Sequence, residues 1–129
     1  MRAKLTIALA SVLTAGTLAG ATAAHARPAA DAPLPLTAPY AQAAAVVAAD
    51  GSVPRSKGVT SIVRTGPGRY TITLPSDINA EESVPQVTLN QSADWKSEIY
   101  AKVVNASTIT VLTAANGAAK DEPFYFLLP

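Results

Sequence analysis

The run GVTSIVRTGPGRYTITLP, Gly58 to Pro75, constrains the fold more than any other part of the chain. From Arg69 to Leu74 it alternates strictly: Tyr70, Ile72 and Leu74 fall on one face, Arg69, Thr71 and Thr73 on the other. A period of two is the mark of a half-buried strand. Val59 to Arg64 is a second short run. Between the two, Thr65-Gly66-Pro67-Gly68 supplies a proline for a turn's first central position and glycines for dihedrals that other residues avoid. The pattern predicts a β-hairpin.

Further short runs follow the same rule. Val84–Leu89 reads as a strand, with Pro85 placing it at an edge or at a strand start. Glu98–Val104 brings Ile99, Ala101 and Val103 to one face, and Thr108–Thr113 brings Ile109 and Val111 together. Asn105-Ala106-Ser107 reads as the tight connection between those two. Phe124–Leu128 makes a closing strand, and Asn116-Gly117 falls in a longer polar loop before Pro123. Gln42–Ala49 (QAAAVVAA) is ambiguous. Its alanines favour helix, whereas Val46-Val47 and the following Asp50-Gly51 favour a strand and a turn. The strand is the reading adopted. Strands at spacings of about ten residues predict an all-β fold, a small antiparallel sandwich or barrel of about six to seven short strands.

The N-terminal part of the chain is different. Residues 1–26 have the anatomy of a secretory signal peptide: Arg2 and Lys4 come first, then an uncharged stretch, then Ala24-His25-Ala26 as a cleavage pattern. A membrane-spanning reading competes, but Thr, Ser and Gly dilute the stretch and no basic cluster follows it. Residues 27–39 (RPAADAPLPLTAP) read as a Pro/Ala-rich linker, flexible or partly polyproline. Residues 40–129 form the β-domain. The expectation is therefore a secreted protein with no membrane attachment after cleavage.

Composition then excludes whole classes of chemistry. The chain has no cysteine, and its single histidine, His25, leaves with the signal peptide. A mature chain without His or Cys has no Ser-His pair, no thiol nucleophile and none of the usual zinc, copper or haem ligands. Removing Arg2 and Lys4 takes Lys plus Arg from 10 to 8 against 9 acidic residues, a net charge near −1. Scattered charges near balance leave no nucleic-acid footprint. Gly66-Pro67-Gly68 lacks the spacing and the Lys-Ser/Thr partner of a phosphate loop. Neither an enzyme nor a cofactor or metal protein is expected. A domain of this size buries only about two-thirds of its unfolded surface. With 5% aromatic residues and no disulfide, it is expected to gain from self-association, with a trimer as the assembly expected.

Four residues stand out as candidate contacts. Trp95, the sole tryptophan, lies in the polar stretch Gln91–Ser97 between Asp94 and Lys96. Exposed, it stacks on a sugar ring or anchors a protein interface; folded back, it caps the small core. Arg64 and Arg69 flank the hairpin tip and, with Arg55 and Lys57, suggest a basic patch, against the alternative of solubilising charges on a strand. Arg55 also lies in Asp50–Lys57, the best segment for a protease-inhibitory loop. Asp77-Ile78-Asn79-Ala80-Glu81 begins like a calcium loop but carries Glu82 where the glycine belongs and Thr88 where the closing glutamate belongs. Glu81 and Glu82, as neighbours on an extended chain, do not converge as a carboxylate pair.

The residues Ala49-Asp50-Gly51-Ser52-Val53, Gly58-Val59-Thr60-Ser61-Ile62 and Arg64–Ile72, with Pro123–Leu127 at the end, are similar to a small β-domain. That domain occurs in secreted actinobacterial proteins and in phage tail-fibre-like proteins, with an RTGxGxY core. The resemblance spans roughly Val46 to Leu128. It lacks the cysteine pair that many members carry. It implies an exported, non-enzymatic β-module of structural or interaction type and no catalytic residues; the alanine-rich signal and linker suit an actinobacterial source. The alternative from the residues is a small secreted binding protein, carbohydrate-binding or protease-inhibitor-like.

Overall fold

The computed structural model describes residues 32–129. The expected signal peptide, residues 1–26 with His25, and the first part of the expected Pro/Ala-rich linker lie outside the described residues. Ten strands follow in order: β1 Leu34–Pro35, β2 Ala43–Val47, β3 Arg55–Lys57, β4 Ser61–Gly66, β5 Arg69–Thr73, β6 Gln86–Leu89, β7 Ser97–Asn105, β8 Thr108–Ala115, β9 Ala118–Ala119 and β10 Phe124–Leu128. They form two sheets, one in the order β1-β3-β2-β10-β6 and the other β4-β5-β8-β7, with β9 pairing β8. Only β1 and β3 run parallel; the other pairs are antiparallel. The described residues form a small all-β sandwich. Among the described residues no helix is long and apolar enough to cross a membrane.

The core lies between the sheets, and the alternation read from the sequence accounts for its membership. Tyr70, Ile72 and Leu74, with Ile109 and Val111 of β8, face Ala43, Ala45 and Val47 of β2 and Phe124, Phe126 and Leu128 of β10. The alanines of β2 are small, and large side chains opposite them fill the space. β2 is hydrogen-bonded on both sides, by β3 and by β10. That pairing overrides alanine's helical propensity, as tertiary context commonly does.

The rest of the outline agrees with expectation at β6 and departs from it in two places. β6 lies at a sheet edge and starts after Pro85, as the proline indicated. Asn116 and Gly117 do not sit in a long loop. Both have positive φ, 54° and 75°, and they close a two-residue hairpin between β8 and β9. The linker segment is also partly ordered: Leu34–Pro35 pairs with Arg55–Ser56. Lys57 Nζ donates to Ala38 O and Ala41 O, each at 2.7 Å, and so holds the next turn of chain against the sheet.

Candidate functional site

The hairpin tip is built first by its own residues. Pro67 and Gly68 occupy the central turn positions, and Gly68 takes φ 60°. A bulge between Arg64 and Gly66 bends the end of β4. Register places Arg64 opposite Tyr70, whereas Arg69 stands opposite Gly66 and Leu112. Successive residues on a strand face opposite ways. Arg64 therefore shares the inner face with Tyr70, and Arg69 lies on the outer one. The expected pair Arg64 and Arg69 is thus divided between opposite faces of the hairpin.

Arg64 is instead half of a clasp. Its Nε donates to Asp121 Oδ2 at 2.7 Å, and Gly68 N donates to Asp121 Oδ1 at 2.7 Å. Thr113 N donates to Gly68 O at 2.8 Å, and Thr113 Oγ1 donates to Lys120 O at 2.6 Å. Three passes of the chain meet there: the β4–β5 turn, β8, and the segment between β9 and β10. Tyr70, fully buried, donates its hydroxyl to Ala49 O at 2.6 Å, and Gly51 packs under Arg64. Within the RTGPGRY run, Arg64, Gly68 and Tyr70 are thus accounted for by architecture.

The clasp carries a pH signature. The Arg64 guanidinium, helped by the Gly68 amide, holds the Asp121 carboxyl below its ordinary value of 3.8. A carboxylate with a depressed folded value stabilises fully above the ordinary value and loses that stabilisation as pH falls through the folded one. Denaturant unfolding is expected to show a stability plateau above pH 3.8 that declines below it. Asp121→Asn, which keeps an acceptor for Gly68 N, is expected to decline less steeply.

Arg55 stands in β3, paired with Val46 of β2 on one side and Leu34 of β1 on the other. An inhibitory loop must offer a free extended backbone to a protease cleft. A backbone engaged on both sides does not, so the structure argues against that role. The calcium-like segment is also accounted for. Asn79 Oδ1 accepts from Glu81 N at 2.9 Å and caps a short 3-10 turn, Ala80–Glu82, while Ile78 and Ala80 are buried. Among the described residues no three His, Cys, Asp or Glu side chains gather as a metal site.

Trp95 is the opposite case. Its relative exposure is 103%, so the indole stands wholly in solvent and does not cap the core. The loop that carries it is tied down at several points. Asn90 N donates to Pro123 O at 2.9 Å, Ala93 N to Asn90 O at 2.9 Å, and Ser97 N to Asp94 O at 3.1 Å. Asp94 N in turn donates to Ser97 Oγ at 3.1 Å.

Beneath this loop lies Glu122, a carboxylate only 3% exposed. Its Oε1 accepts from Ser97 Oγ at 2.9 Å and pairs with Lys120 Nζ at 3.0 Å. A buried charge is tolerated when it is paired and hydrogen-bonded in this way. Beside the indole is a hollow of about 280 Å³ lined by Leu89, Asn90, Gln91, Ala93, Asp94 and Trp95. Sequence reasoning singled out Trp95 but missed Asn90, Gln91 and Glu122. The polar stretch around the tryptophan was the available sign for the first two.

No family model, curated protein or solved structure matches the chain.

Proposed function

We propose that the protein is an exported, non-enzymatic interaction module whose β-sandwich is scaffold and whose contact point is the Trp95 loop. The observation that carries this reading is the full exposure of a large apolar side chain on an anchored loop. Aromatic anchors on preorganised supports are the usual centres of binding energy. Export is inferred from the signal-peptide pattern of residues 1–26, and the lack of catalytic pairs from composition. The resemblance of the RTGPGRY region to β-modules of secreted and fibre-like proteins agrees with a non-catalytic role.

Self-association, with a trimer as its expected form, is a second reading favoured by one observation. The outer strands of the second sheet, β4 and β7, expose Val63, Tyr100 and Val104. Light scattering on residues 27–129, for the wild type and for Trp95→Ala, tests both readings. A ligand-facing Trp95 leaves the two masses equal, whatever the assembly. A mass that falls in the variant makes Trp95 a subunit contact and ends the reading of a free binding loop.

A further inference from the structure

We infer that the hollow beside Trp95 is a carbohydrate-binding site for a neutral glycan. This rests on the Trp95 loop being the contact point. A sugar ring presents flat patches of C–H groups and a rim of hydroxyls that both donate and accept. Its complement is an aromatic face beside side chains with planar hydrogen-bonding groups. The residues that line the hollow offer that set: Trp95 with an indole fully open to an incoming ring, Asn90 and Gln91 with carboxamides, Asp94 with a carboxylate, and the apolar Leu89 and Ala93.

Charge and size narrow the class. The lining includes one carboxylate and no cationic side chain, which disfavours acidic glycans. At about 280 Å³ the hollow is at the small end of sites that enclose a drug-sized molecule, about 300–1,000 Å³. It takes one sugar unit, or one face of a polymer, rather than a long buried chain.

Preorganisation supplies the third part. Asp94 lines the hollow while its backbone N–H is held by Ser97 Oγ, which donates to the buried Glu122. Lys120 Nζ pairs with that same Glu122 oxygen. This chain of contacts fixes the loop before a ligand arrives, so less ordering is needed on binding. It also gives the buried carboxylate a purpose that the sandwich core does not require.

The test is depletion of the purified mature chain from solution by insoluble cellulose, chitin and mannan, with Trp95 fluorescence followed on adding soluble oligosaccharides of the same sugars. The expected result is retention on at least one polymer and a change in Trp95 emission. Trp95→Ala is expected to weaken retention about tenfold or more with an unchanged unfolding midpoint. Trp95→Phe, which keeps a smaller ring, is expected to fall between the two. Folded wild-type protein retained by none of these polymers overturns the assignment, as does undiminished retention of folded Trp95→Ala. If retention fails while acrylamide quenches Trp95 freely, the interaction module survives and its ligand is a protein. If Trp95 is shielded from acrylamide in a monomer, both readings fall.

Discussion

Gly68→Ala is expected to destabilise the fold by about 3 kcal/mol or more, while Gly66→Ala, two residues away, changes it by no more than about 0.5 kcal/mol. The two glycines flank the same proline and look equivalent in the sequence. At Gly68 the backbone has φ 60°, and an added Cβ would stand 2.1 Å from Thr113 O and 2.9 Å from Lys120 N. Those are backbone atoms of β8 and of the segment leading to β10, so relief requires three chain passes to part. The hydrogen bonds through Gly68 and Asp121 would be lost with them. At Gly66 a Cβ would meet nothing within 4 Å, and the φ is not positive. Urea unfolding of the two variants separates these cases, and equal losses would contradict the clasp.

The second large effect is in the core. Phe124→Ala is expected to cost about 3–5 kcal/mol, whereas Tyr125→Ala at the adjacent position costs less than about 1 kcal/mol. Phe124 belongs to one sheet and packs edge-on against Tyr70 of the other, with centroids 5.0 Å apart and planes at 65°. Both rings are fully buried. Tyr125 points outward and is 42% exposed. A domain of this size has a total stability of about 5–15 kcal/mol, so the Phe124 loss is a large part of the whole. It corresponds to a fall in midpoint of roughly 12–40 °C. Thermal unfolding by circular dichroism measures both variants, and a small shift for Phe124→Ala would mean that the core is not shared between the sheets as described.

What the sequence made legible was the part governed by local periodicity. Tyr70, Ile72 and Leu74, and Ile109 and Val111, could be assigned to a strand face from the pattern alone, whereas Phe124–Leu128, apolar throughout, read as a strand without saying that Phe124, Phe126 and Leu128 face inward. Contacts made over long sequence distances were not legible. Arg64 reads as a free charge until Asp121, 57 residues later, is brought beside it. β3 has no apolar pattern; Arg55-Ser56-Lys57 is a strand because its backbone completes the ladder between β1 and β2. Asn116-Gly117 carried a hairpin signature, but β9 is only two alanines long, too short for alternation to show.

The Trp95 site divides in the same way. The tryptophan and its polar neighbours were visible, but whether the indole covered the core or faced water depended on contacts outside the loop. Glu122, which fixes the loop through Ser97, looks in the sequence like an ordinary charge beside Pro123. Its burial arises because the segment between β9 and β10 passes under the start of β7, an arrangement set by topology.

The sandwich holds its one tryptophan out in solvent. Acrylamide quenching of that single fluorophore, on residues 27–129 of known native mass, reads this exposure. Red-shifted emission of solvated indole, quenched about as readily as the free amino acid, is the expected result. Blue-shifted emission that acrylamide does not reach, in a monomeric protein, would place Trp95 in the core and contradict it.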